Sequence, residues 1–523
     1  MAAALVRSCP AFSVRHALPR LGRWPALVGA LAVAAAAGAW AAWRRGPGAS
    51  YDLRNYHLYD GFALLHLRLG TDIAPAQLQS YYPPLLDLLH ALALTALNRH
   101  PPLLGAVLAL PQGLAGFLAY ALARRLAPTL SPGPAIAAAL IGVTGAAGAA
   151  TFAGAMSEML PAAALLGGML LVDGRAPTRA GLLAGLAVGL KLTAAPYAAG
   201  LALAAPLAAH SGQRRAALAR FAAGAAGGAA LTAGWWWVYI WVHFGDPVFP
   251  YYNQIFHSPW IAAGAHTDAR FLPHSLWGAM TRPWRWALVV SRLGGEVPLR
   301  DPRLGLGTAS LAVLLVRRAR LPQPPLLQLI AVIWVVGYAL WAALFGVQRY
   351  LVTLELLSGP LLLAALAPLL ARLPRPGQVG ATLGLAMAIM AVTVVPDWGH
   401  APPGSRAVAV HLPPFPPGTL VILLDSAPMG YVAAFAPASV RFVGAANNLL
   451  HPGAPGLLEQ AVTRAIRDQR GPLWGLQSTR HGAAGADATL RAYGLARAAG
   501  CAPVRSNLDH NAILACPLRR VSG

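Results

Sequence analysis

The chain has 523 residues, 57% of them hydrophobic and only 11% charged, with 40 Lys and Arg against 17 Asp and Glu. A soluble domain carries about a quarter charged residues, so this composition excludes an ordinary soluble protein and indicates a polytopic membrane protein. The formal net charge of +23 lies in short Arg clusters between apolar runs, which reads as membrane topology with anionic lipid or phosphate partners, and not as nucleic-acid binding.

Residues 1–24 form a basic tail without acids, and an apolar run over 25–43 follows. Trp40, Trp43, Arg44 and Arg45 make a poor cleavage site, so the run is expected to be a retained span with its N-terminus in the cytoplasm. Cytoplasmic loops accumulate Lys and Arg. Arg124–Arg125, Arg175 with Arg179, Arg214–Arg215 with Arg220, Arg317–Arg318 with Arg320, and Arg372 with Arg375 therefore mark the inner side.

The apolar piece at 84–97 is too short to span and contains Asp87 and His90, which predicts a juxtamembrane or re-entrant helix. Spans are expected at 101–123, 134–151, 157–172, 180–192, 194–209, 218–241, 304–316, 325–345, 351–370 and 379–395. The expected fold is mainly α, with about 11 spans within 25–395. Extracytoplasmic loops fall at 44–100 and 243–303, and 400–523 reads as a small extracytoplasmic α/β domain. Within it, strands are expected at 419–425, 472–477, 502–507 and 512–518, and helices at 456–469 and 488–500. Cys9 lies in the tail; Cys501 and Cys516 lie close together in the external domain and are expected to form a disulfide.

This threading gathers the polar segments on the outer face. "YDLRNYHLYDGFALLHLRLG", residues 51–70, reads as an amphipathic helix from 54 lying on the membrane, with Phe62, Leu65 and Leu69 on one side and His57, Asp60 and Arg68 on the other. Asp52 stands before that helix, beside Arg54 and His57. A carboxylate at the bilayer boundary is costly unless it is used or paired, and a salt bridge to Arg54 is the plain alternative. In "GLLAGLAVGLKLTAAPYAAG", Lys191 either snorkels to the interface or offers an ammonium to a phosphate. In "FGDPVFPYYNQIFHSPW", Tyr251, Tyr252, Asn253 and Trp260 form either an interfacial belt or a shelf for sugar and lipid. In "GVQRYLVTLELLSGP", Arg349 and Tyr350 start an outward-facing helix end, and Glu355 lies within the span, paired with Arg or functional.

The segments "DLRNYHLYD", "YYPPLLDL" and "DPVFPYYNQIF" resemble a group of bacterial membrane proteins within the GT-C class of polytopic glycosyltransferases. That class includes the protein O-mannosyltransferases and the lipid A aminoarabinose transferases. The resemblance covers about 25–395. It implies a GT-C fold in a bacterial inner membrane and a polyprenyl-phosphate sugar donor, with a glycan, lipid or protein as acceptor. Asp52 takes the place of the catalytic base. Arg54, His57, Lys191, Arg349 and Tyr350 become substrate- and phosphate-binding groups. Leu53 follows Asp52, so the acidic pair that binds a divalent metal in some members is incomplete; a divalent metal stays open as a cofactor but is not supported by these residues. A flippase or transporter of a lipid-linked saccharide, and a non-catalytic envelope assembly factor, are the competing readings.

Overall fold

The computed structural model describes residues 23–155, 158–318, 324–509 and 512–521. Residues 1–22 of the basic tail, with Cys9, and Arg320 lie outside the described residues. Among the described residues, five helices are long and apolar enough to cross a membrane: Trp24–Arg45, Pro101–Leu126, Ser211–Phe244, Pro325–Leu344 and Gln348–Leu370. Shorter apolar helices of 10–17 residues include Leu85–Leu97, Pro132–Val143, Met159–Asp173, Pro177–Leu190 and Arg303–Val316. Proline opens several of them, at Pro101, Pro132 and Pro177, where a missing N–H costs nothing. Large apolar side chains stand exposed along the long helices, among them Val33, Trp40, Val238, Val242 and Val335. Such surfaces are compatible with lipid as the surrounding solvent.

Small residues set how closely these helices approach. Helix Pro177–Leu190 lies against Arg214–Ala229 through Gly181, Gly185, Gly224 and Gly228. A Cβ at Gly185 would stand 2.0 Å from the Ala225 carbonyl oxygen, and one at Gly228 would stand 2.2 Å from that of Leu182. Backbone contact of this kind needs glycine on both sides. It fixes the end of the first helix, and Lys191 follows it directly in extended conformation.

The C-terminal part carries a sheet of β1 (Val410–His411), β2 (Leu420–Leu423), β3 (Arg441–Gly444), β4 (Leu473–Ser478), β5 (Leu495–Arg497), β6 (Ala502–Ser506) and β7 (Ile513–Arg520). The order is β1-β6-β7-β4-β2-β3, with β5 also paired to β7. β2 runs parallel to β3 and β4, whereas β7 is antiparallel to β4, β5 and β6. β2 is buried along its whole length, as its unbroken apolar run requires. Helix Leu457–Arg467 covers the sheet with Leu458, Val462 and Ile466. The expected helix at 488–500 is corrected: the helix is Ala483–Ala492, and Gly494, at φ +65°, turns the chain into β5. Cys501 and Cys516 are bonded, and the register that sets Ala502 opposite Ala515 brings them face to face.

This domain is not detached from the membrane part. Ala49, Leu53, Tyr56, Leu58 and Tyr59 share one apolar cluster with Val421, Leu423, Tyr431 and Phe442. Ile73 bridges Val443 in parallel and so covers the free edge of β3. Arg68 donates to the Val440 carbonyl at 2.5 Å and pairs with Asp72 at 2.7 Å, and Asp72 accepts from the Phe442 N–H at 2.9 Å. The segment is helical over much of 54–69, as expected, but its polar side is not solvated. The segment is a π-turn over Leu53–His57 and a helix over Leu58–Leu65, and His57, Asp60 and Arg68 are buried in protein while Leu65 is exposed. The sequence pattern was amphipathic, but the polar side found protein partners instead of water.

Candidate active site

One cavity of about 1020 Å³ lies where residues 50–87, the ends of several apolar helices and the C-terminal domain meet. Asp52, Arg54, His57, Lys191, Tyr251, Tyr252, Arg349 and Tyr350 all line it. Their local folding explains the convergence. The π-turn carries an i→i+5 bond from the Leu58 N–H to the Leu53 carbonyl, and it gathers Asp52, Tyr56 and His57 on the cavity side.

The charged groups form a chain. Asp52 Oδ2 is 2.7 Å from Arg349 Nη2, Arg349 Nε is 3.4 Å from Glu158 Oε1, and the same Glu158 oxygen is 2.7 Å from Lys191 Nζ. Two carboxylates thus balance two cations. Arg349 is also flanked by the rings of Tyr350, 5.2 Å from its Cζ, and Trp398, at 5.8 Å. The alternative partner for Asp52 is corrected here: Arg54 pairs with Asp509 at 2.9 Å and ties the first loop to the C-terminal domain.

His57 sits beside this chain. Its Nδ1 is 2.5 Å from Asp87 Oδ1, while its Nε2 is buried without a hydrogen-bond partner. With Nδ1 on the Asp87 carboxylate, Nε2 is the ring nitrogen left for a further polar partner. Asp60 lies nearby with both oxygens buried and unpartnered. Burial, and then the charge of Asp87, push its carboxyl well above the usual carboxylate range.

Tyrosine hydroxyls complete the wall. Tyr82 and Tyr251 hydrogen-bond through their hydroxyls, and Tyr56 packs edge-on to Tyr82. Burial raises the pKa of Tyr56, Tyr82 and Tyr251, so all three stay neutral at physiological pH. Of the expected aromatic shelf, only Tyr251 and Tyr252 reach the cavity. Asn253 is 1% exposed and donates to the carbonyls of Ser258, Ile261 and Ala262, and Trp260 packs on Phe244 while its carbonyl accepts from the Leu458 N–H at 3.0 Å. These two residues hold the loop's shape. Glu355 also stands apart from the cavity. It accepts from the Ala147 and Gly148 N–H groups and from Gln348 Nε2 at 2.6 Å, so it braces the turn before Arg349.

Sequence reasoning missed Glu158, the bridge between Lys191 and Arg349. Its position was a usable indication: it is a lone acid between apolar runs, and such a group is rarely without purpose. Gln77, Gln79, Tyr56 and Tyr82 were also missed, because neutral polar residues carry no such warning. As for a metal, among the described residues no group of three or more His, Cys, Asp or Glu is arranged to hold one. With Leu53 beside Asp52 and Arg349 on its carboxylate, the residues do not fit a resident divalent ion. Comparison of the chain with protein-family models, curated proteins and solved structures finds no match.

Proposed function

We propose that this chain is a membrane glycosyltransferase of GT-C type. It moves a sugar from a polyprenyl-phosphate donor to an acceptor hydroxyl on the outer face of a bacterial inner membrane, with about eleven crossings set by the Arg markers. The observation that carries the reading is the shared cavity: a carboxylate from the first loop and two cations from distant helix ends form one ion-pair chain beside apolar walls that include Leu190, Trp236 and Phe345. The chemistry asks for little more. A lipid phosphate is a good leaving group, so the protein has to accept the hydroxyl proton and neutralise the departing phosphate. Asp52 takes the proton as the acceptor oxygen bonds to the anomeric carbon. The bond from that carbon to the phosphate oxygen breaks, and Lys191 and Arg349 hold the lipid monophosphate that leaves. Arg349 can pass from Asp52 to the phosphate, which frees the carboxylate at the moment the donor binds.

A transporter would place acids and cations along a path through the bilayer; the reading of a transferase is supported by the meeting of Asp52, Arg349, Glu158 and Lys191 beside one aromatic cavity wall. The test uses full-length protein in lipid nanodiscs and a panel of polyprenyl-phosphate sugars. Release of polyprenyl phosphate, with water or added glycoside as acceptor, is the expected result. Binding of a donor with no cleavage under any acceptor condition would refute the enzyme reading in favour of transport.

A further inference from the structure

We infer that the acceptor is a saccharide, bound through its hydroxyls at a neutral subsite that residues 76–79 build together with the C-terminal domain. The inference rests on the glycosyl-transfer reading for the word acceptor, but the binding site stands on its own geometry.

Gln77 carries the argument. It is 3% exposed, lines the cavity, and holds the left-handed φ of +61°. Its Nε2 donates to Tyr51 Oη at 2.8 Å, Ser426 O at 3.0 Å and Asn55 Oδ1 at 3.1 Å. Its Oε1 is buried and has no partner. Turning the amide over does not help, because a carbonyl oxygen would then face Ser426 O and Asn55 Oδ1, which only accept. Asn55 is itself fixed, since its Nδ2 donates to Ala76 O at 3.3 Å and Gln79 Oε1 at 3.1 Å. The protein thus buries a carbonyl oxygen in a cavity-lining residue and supplies no donor for it. A strained backbone and an unmet buried acceptor at one residue are costs a fold keeps where a ligand meets them.

The missing donor is an O–H or N–H, and the surroundings select between them. Tyr51, Gln79, Ser426 and Asn448 line the same part of the cavity, and Asn448 Nδ2 reaches Gln79 Oε1 at 3.5 Å. Each of these side chains both donates and accepts, as a sugar hydroxyl does, and none is charged. Arg54, the nearest cation on these segments, is held by Asp509. An extended peptide would seek a strand edge, and the β3 edge is already covered by Ile73. Ser426 and Asn448 are exposed, so this polar group forms the solvent side of the cavity, while Gln77 lies behind it.

The C-terminal domain forms one wall of this subsite. Gly430 sits so close to the first loop that a Cβ there would stand 2.2 Å from the Asn55 carbonyl oxygen. Any shift of the domain would move Ser426 away from Gln77. The domain therefore acts in acceptor selection, and not as an appended module.

The test is saturation-transfer NMR on the full-length protein in nanodiscs. The probes are methyl glycosides of glucose, galactose, mannose, N-acetylglucosamine, rhamnose and arabinose, with a Ser/Thr-rich peptide as comparison. At least one glycoside is expected to bind at millimolar concentration, and the peptide is not. Gln77→Met and Gln79→Ala should each weaken that glycoside about tenfold, the scale of one lost hydrogen bond. Gln79 Oε1 also accepts from the buried Asn55 Nδ2 at 3.1 Å, so melting temperature is read beside affinity. Ser426→Ala, which removes an exposed hydroxyl but keeps the carbonyl that holds Gln77, should weaken the glycoside at the wild-type melting temperature and separates lost contact from lost fold. Failure of every glycoside to bind overturns the inference, as does unchanged affinity in Gln79→Ala and Gln77→Met, or preference for the peptide. Polyprenyl phosphate binding to the wild type is measured in the same nanodiscs. Its absence would refute the transferase reading while leaving glycoside binding to be judged separately.

Discussion

Replacing Asp52 by Asn separates a catalytic carboxylate from a structural one. Asn keeps the shape but cannot take a proton, so a base role predicts a turnover loss on the order of 10²–10⁴-fold. Removing one member of a buried ion pair costs about 3–5 kcal/mol when the survivor is left alone. Arg349 is not left alone, because Glu158 remains 3.4 Å from its Nε, and both Asp52 and Arg349 side chains are 15% exposed. The stability loss should therefore stay below about 3 kcal/mol. Phosphate binding should move in the opposite direction. With the Asp52 carboxylate gone, one acid fewer competes with the lipid phosphate for Arg349, and one charge-assisted hydrogen bond at about 1.5–3 kcal/mol corresponds to roughly tenfold tighter binding. Lys191→Ala should weaken the same binding, since it leaves Glu158 facing the phosphate with one cation fewer. The measurements are turnover of whichever lipid-linked sugar the wild type cleaves, affinity for polyprenyl phosphate, and melting temperature. Near-normal turnover by Asp52→Asn refutes the base assignment. Recovery of turnover in Asp52→Asn combined with Arg349→Gln would show that Asp52 only neutralises Arg349.

Gly185→Leu should lower the melting temperature by forcing two helices apart, an overpacking cost of about 1–3 kcal/mol or more, whereas Gly227→Ala, with nothing within 4 Å of its Cβ, should be neutral or slightly stabilising. Unequal behaviour in the other direction would contradict the helix contact. Thiol counting on denatured, non-reduced chain should find one reactive thiol of the three cysteines, and Cys501→Ser should cost about 3 kcal/mol for a loop of 15 residues. Three thiols before reduction would contradict the bridge. The raised carboxyl of Asp60 contributes stability that is present below its unfolded value near 4 and is lost as pH rises through its folded value. Asp60→Asn should therefore flatten the fall in melting temperature as pH rises above about 4, and an unchanged slope would mean that another group sets it. For topology, cysteine at the exposed positions Ser405 and Gln213 should be labelled by an impermeant reagent only at Ser405, and labelling of Gln213 in intact cells would break the Arg-based threading.

The case of 51–70 shows where sequence reading reached its limit. Alternating polar and apolar residues report that one side of a segment differs from the other, but not what covers the polar side. Water and a second protein layer give the same pattern, and only tertiary packing decided: β3 meets Ile73, Asp72 and Arg68, while the helix Leu85–Leu97 packs against the turn that carries Asp60.

Some features were determined by the chain alone. Hydropathy marked the apolar helices because burial in lipid or protein imposes the same composition along a whole turn of chain. The strands at 420–423, 473–478, 502–506 and 513–520 followed from short β-branched and apolar runs, and the cysteine pair from their closeness in one small domain. Asp52 and Lys191 stood out because charge at a bilayer boundary is expensive wherever it occurs. Tertiary structure decided their partners. Asp52 meets Arg349 and not the adjacent Arg54, Lys191 meets Glu158, and Gln77 leaves its carbonyl oxygen without a donor. Ion pairs and hydrogen bonds act over a few ångströms in space, and the distance along a chain that folds back many times does not record which groups come that close.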